Sequence, residues 1–121
     1  MNRPLQITFR NMAASTTLED EVRRRATELS EHCPRLMSCR VVIEAPHRHQ
    51  RKGRHFHVRV DVTVADGELT AGHDKPDQVR HEDAHLAVTD AFRAMKRELS
   101  RWSERRHQHD GASLRDGVQG G

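Results

Sequence analysis

The sequence predicts a two-layer α+β domain, a four-stranded mixed sheet with two helices on one face, in the order β-α-β-β-β-α. Two patterns carry that expectation. Apolar and polar residues alternate in four short segments, and apolar residues recur at helical spacing in two longer ones. Each of these six segments has a single apolar side. One layer of helices laid on one face of one sheet hides all six sides, and leaves the other sheet face polar and wet.

The first strand is Leu5, Ile7 and Phe9 alternating with Gln6, Thr8 and Arg10. The first helix follows, with Thr16 and Glu19 at capping-box spacing and Leu18, Val22, Ala26, Leu29 and Cys33 forming one stripe. Pro34 ends it, because its ring cannot continue the hydrogen-bond ladder. Cys39, Val41, Ile43 and Ala45 mark the second strand, and the polar run PHRHQRKGR after it is a loop. The third strand has Phe56, Val58, Val60, Val62 and Val64 on one side and His57, Arg59, Asp61 and Thr63 on the other. Asp66-Gly67 is expected to supply the positive φ angles of a tight hairpin turn into a fourth strand, Glu68 to Ala71. A loop, GHDKPDQVR, leads to a second helix from about Glu82 to Arg105. Its stripe is Ala84, Val88, Ala91, Phe92, Met95, Leu99 and Trp102, with Arg93, Arg97 and Arg101 at every fourth position opposite. Residues 1–106 thus form one domain, and 107–121 lack any period and read as a disordered tail.

Composition narrows the function. The chain has 121 residues, a formal net charge of +3 and ten histidines. No run approaches the length of a membrane helix, and the start lacks the apolar core of a signal peptide, so an intracellular, cytoplasmic protein without a membrane partner is expected. The small net charge conceals a mosaic. Residues 47–60 hold five basic and no acidic side chains, 61–92 hold two basic and eight acidic, and 93–109 hold six basic and two acidic. Two basic blocks around an acidic one suit a surface with a polyanion-facing side. Cys33 and Cys39 lack C-x-x-C spacing and, with His32, make an incomplete zinc set, so both are expected to be reduced, at buried or half-buried positions.

Residues 81–85, His-Glu-Asp-Ala-His, match the H-E-x-x-H zinc signature literally. Two histidines one turn apart can hold a zinc, with the glutamate as general base. The context argues against it. A third ligand is lacking where the longer signature would put one, at Ala91, and Glu98 lies about 20 Å along the same helix from His85. With no other enzyme motif present, the expectation is a non-enzyme with no cofactor, no resident metal and no small-molecule substrate. A zinc hydrolase on His81, Glu82 and His85 remains the alternative. A second alternative is a module that keeps the fold and binds a protein through a sheet edge or the acidic block.

The basic blocks point to RNA. The loop carries Arg48, Arg51, Lys52 and Arg54 among histidines, helix two carries Arg93, Lys96, Arg97, Arg101, Arg105 and Arg106, and helix one carries Arg23, Arg24 and Arg25. All four aromatics are assigned to apolar faces, which leaves no stacking platform for single strands. Recognition of structured RNA by shape and backbone is the mode that remains.

The opening ITFRNM, the hairpin VTVADGELTAG and above all HEDAHLAVTDAFRAMKRELSRW resemble the bacterial ribosome hibernation-promoting factors. These are also called ribosome-associated inhibitors or sigma-54 modulation proteins. The similarity spans roughly residues 5–105, and His85 stands where the family segment usually has tyrosine, which creates the zinc-like motif. The resemblance implies a short-form protein that occupies the messenger and transfer RNA channel of the small ribosomal subunit. It would silence or protect idle ribosomes without chemistry. The expected phosphate contacts are Arg25, Arg48, Arg51, Lys52, Arg54, Arg93, Arg97, Arg101 and Arg105. Glu28 and Ala94 stand where the family commonly has basic residues.

Overall fold

The computed structural model describes residues 4–45, 56–72 and 83–115, with side chains in the last segment through Arg106. Period-two alternation forms β1 (Leu5–Arg10), β2 (Ser38–Glu44), β3 (His57–Val64) and β4 (Gly67–Ala71), and helical periodicity forms α1 (Thr16–His32) and α2 (Ala84–Arg115). The strands lie in the order β1-β2-β3-β4. β1 and β2 are parallel, with Ile7 opposite Val41, as the α1 crossover requires. The antiparallel meander follows, with Val41 opposite Val60 and Val62 opposite Leu69. The expected mixed sheet and element order are both present.

One core joins the layers. Val22 and Leu29 of α1 and Val88, Met95 and Leu99 of α2 meet Val41, Ile43, Val60 and Val62 of the sheet, all of them buried. Each such side chain contributes about 1.5–3 kcal/mol of burial. β1 lies at the sheet edge, so Leu5, Ile7 and Phe9 are only partly covered. Cys33 and Cys39 are free thiols and buried. Burial, with the nearby Asp61 charge, pushes the Cys39 thiol up to about 12.

Local details differ from the sequence reading in instructive ways. The N-cap of α1 is Ser15, whose hydroxyl accepts from Leu18 N at 3.3 Å; Thr16 is already helical, and the Thr16–Glu19 capping box is not formed. In the β3–β4 hairpin, Val64 pairs with Gly67, which leaves Ala65 and Asp66 as the turn. Gly67 takes positive φ and Asp66 does not. α2 starts behind Asp83, whose carboxylate accepts from His85 N at 2.8 Å and favours the positive end of the helix dipole. Its backbone continues past Arg105 to Arg115, through residues expected to belong to the tail. The apolar stripe that marks a helix in sequence stops at Trp102, whereas the helical backbone continues to Arg115.

Gly72 joins β4 to the helical layer. It has φ +82, and a Cβ there would lie 2.6 Å from Ala91 Cβ and 2.6 Å from the Val58 carbonyl oxygen. Left-handed strain and overpacking add, so Gly72→Ala should cost about 2–4 kcal/mol. A urea midpoint equal to that of the wild type would contradict this.

Candidate nucleic-acid interface

α1 and α2 lie side by side on the sheet. Arg25 Nη2 donates to Thr89 Oγ1 at 3.3 Å, and His32 Nε2 is 3.1 Å from Ser100 Oγ, so the helices run in the same sense. Their outer faces are directed away from the sheet. On α2 that face carries Arg93, Lys96, Arg97, Arg101 and Arg105, all exposed, while Val88, Phe92, Met95, Leu99 and Trp102 fill the inner face. Residues four apart on a helix rise about 6 Å and turn about 40° past a full circle. The row Arg93, Arg97, Arg101, Arg105 is therefore a ridge about 18 Å long that winds gently across the surface, with Lys96 on the side of α1.

Some of these cations have acidic neighbours. Arg93 lies 3.8 Å from Asp90 and Arg101 3.7 Å from Glu98. Exposed pairs of this kind are worth only about 0–1 kcal/mol, so a phosphate can displace them. Lys96, Arg97 and Arg105 make no ion pair among the described residues. Arg106 is directed elsewhere. Its guanidinium sits 5.6 Å over the Trp102 ring, and Nη1 is 3.4 Å from Asp66 Oδ2, while Trp102 Nε1 donates to Asp66 Oδ1 at 2.9 Å. Those contacts pin the hairpin turn to the helix. The Trp102 hydrogen bond foremost, with Arg106, holds the Asp66 carboxyl below its usual value.

On α1 the basic run is embedded in acids. Glu21 accepts from Arg24 at 2.6 Å and from Arg25 at 2.9 Å, Glu19 lies 3.7 Å from Arg23, and Glu28 lies 3.9 Å from Arg25. Arg25 is thus the most engaged with protein of the expected phosphate contacts that lie among the described residues. Arg48, Arg51, Lys52 and Arg54 lie outside the described residues, as do His81 and Glu82 of the zinc-like motif. His85 is half-buried in the first turn of α2, and among the described residues no three metal-ligating side chains converge. No described helix is long and apolar enough to cross a membrane.

The open sheet face holds a site that strand alternation did not reveal. Asp61 is expected to be wet, yet it is only 3% exposed. Arg59 Nε donates to Asp61 Oδ1 at 3.0 Å, Thr70 donates to the same oxygen at 2.7 Å, and Arg40 Nη2 reaches Oδ2 at 3.4 Å. Arg40 and Thr70 are the cross-strand partners of Asp61, so register assembles the cluster. It also directs Arg59 away from the helical face. Burial acts to raise the Asp61 pKa, but the Thr70 and Arg59 hydrogen bonds and the Arg59 and Arg40 charges outweigh it, and the net value is lowered. A depressed carboxylate stabilises the fold above its unfolded pKa of about 4, and that contribution is lost as pH falls through the lower folded value. Asp61→Asn should therefore flatten the loss of stability below about pH 4, read from urea melts across pH. A variant with the same acid limb as the wild type would count against this role.

The geometry is that of a two-layer α+β domain with a basic ridge on its helical layer. Comparison with known proteins goes further. The family described as Sigma 54 modulation protein / S30EA ribosomal protein matches residues 5–107, and the chain belongs to this ribosome-associated family. A search of the curated proteins finds no match. Among solved structures, the chain is similar to a ribosomal subunit interface protein from Coxiella burnetii, with TM-score 0.65 and 12% identity over 83% of this chain and 97% of that one. It is also similar to the N-terminal domain of Protein Y from Thermus thermophilus, with TM-score 0.61 and 16% identity over 84% and 99% of the two chains. At these identities the likeness concerns the fold.

Proposed function

We propose that this chain is a cytoplasmic, ribosome-associated translation inhibitor of the hibernation type. It binds the RNA of the small subunit in the messenger and transfer RNA channel and acts by occupancy, without catalysis, cofactor or small-molecule substrate. Arg93, Arg97, Arg101 and Arg105 of α2 contact phosphates, joined by the basic run of α1 and by Arg48, Arg51, Lys52 and Arg54 of the loop after β2. Membership of the family supports this reading, as does the likeness to the Coxiella burnetii ribosomal subunit interface protein. The observation that carries it is the exposed cationic ridge of α2, directly opposite the core. Such a ridge binds phosphate by shape and charge and reads no base edges.

Counter-ion release makes the contact salt-dependent. With about six phosphates engaged, affinity should fall about a thousandfold over a fourfold rise in salt, by analogy with duplex nucleic acid. Sucrose-gradient sedimentation of the chain with small subunits, at low and high salt, checks this. Co-migration at low salt and release at high salt is the expected result. Absence from the subunit fractions at low salt would defeat the proposal.

A further inference from the structure

The basic run of α1 cannot attract a polyanion through net charge. Arg24 and Arg25 are matched by Glu21 and Glu28, so the four side chains together are neutral. Whatever α1 contributes to binding must come from directed hydrogen bonds, and these are ordered in a chain. The Thr89 hydroxyl donates to the His85 carbonyl at 3.0 Å, which leaves its oxygen to accept from Arg25 at 3.3 Å. Arg25 Nε then donates to Glu21 Oε2 at 2.9 Å, and Glu21 Oε1 accepts from Arg24 Nη2 at 2.6 Å. The relay starts on α2 and ends on an outward guanidinium of α1.

Exposure along the relay separates the roles. The Glu21 side chain is 14% exposed and Arg25 29%, whereas Arg24 is 61% exposed. Two of the three nitrogens of Arg25 are bonded within the protein, and the third faces Glu28. Arg24 commits one donor of its planar fork and keeps the rest for a ligand. The Arg25 hydrogen bond, aided by Arg24, holds the Glu21 carboxyl below its usual value against the effect of burial, so it is ionised at neutral pH.

We propose that Glu21 is a positioning residue that displays Arg24 to an RNA phosphate, and that Arg25, anchored to Thr89 of α2, braces this display instead of making the contact itself. This rests on the reading of the chain as a binder of small-subunit RNA. Fixing a guanidinium before binding removes part of the ordering cost that a free arginine side chain would meet on association.

Charge and positioning make opposite predictions for Glu21. Removing an acid from a cationic surface strengthens attraction to a polyanion if only charge matters. If Glu21 positions Arg24, Glu21→Gln weakens binding to purified small subunits about fivefold, although net charge rises by one. Glu28→Gln is the control, since Glu28 is exposed and 3.9 Å from its partner; it should bind as the wild type or slightly tighter. Glu21→Asp keeps the charge and shortens the reach, so it should also weaken binding, and it serves where Glu21→Gln folds poorly. Arg24→Ala should cost much less in the Glu21→Gln background than alone. Binding by Glu21→Gln and Glu21→Asp equal to or tighter than wild type, or a full Arg24→Ala cost in both backgrounds, would overturn the display. Failure of the wild-type chain to bind would overturn the functional reading beneath it, a result distinct from either.

Discussion

The double variant Arg97→Glu, Arg101→Glu should bind small ribosomal subunits about a hundredfold more weakly than the wild type at low salt. Both side chains stand on the exposed ridge of α2, so the change removes two cations from that row and adds two anions to it. The fold should be indifferent. Surface substitutions of this kind move stability by about 0.5 kcal/mol or less, and the Arg101–Glu98 contact at 3.7 Å is of the weakest sort. Parallel thermal melts therefore separate loss of binding from loss of structure. The same double reversal with unchanged affinity would remove the ridge from the interface.

The second large effect concerns stability. Trp102 is 4% exposed, closes the apolar stripe of α2, and donates its indole N–H to Asp66 on the β3–β4 turn. Truncation empties that volume and frees the turn from the helix, so Trp102→Ala should cost about 3–5 kcal/mol. Against a total of about 5–15 kcal/mol for a domain, that is a large share. Urea melts followed by circular dichroism are the measurement, because Trp102 is the sole tryptophan and fluorescence disappears with it. Trp102→Phe, which keeps most of the apolar bulk and loses the hydrogen bond, should fall between the two. A change under about 1 kcal/mol in the alanine variant would mean the helix end does not depend on this contact.

Period explains what could be read from the chain before its structure. Val58, Val60, Val62 and Val64 alternate, Val88, Met95, Leu99 and Trp102 recur helically, and both patterns place their residues in the core. The ridge was legible for the same reason, since the side of a packed helix opposite its buried stripe is turned away from the core. Features set by distant partners were not legible. The burial of Asp61 depends on Arg40 and Thr70 being brought opposite it by strand register. The engagement of Arg25 depends on Thr89, 64 residues away. Gly72 is required by the approach of Ala91, and no local pattern signals that. The N-cap was misplaced by one residue because Ser15, Thr16 and Thr17 all suit the position and only the backbone chooses among them.

The thiols have a practical consequence. Thiol reagents attack the thiolate, and the Cys39 thiol, buried and raised to about 12, scarcely ionises at neutral pH, while Cys33 is enclosed beside the end of α1. A cysteine placed on the outer face of α2, at position 96 for instance, is then the reactive one in the folded chain. A dye or crosslinker can be attached there with both native cysteines left in place. The buried pair makes the protein its own background for mapping what the ridge meets.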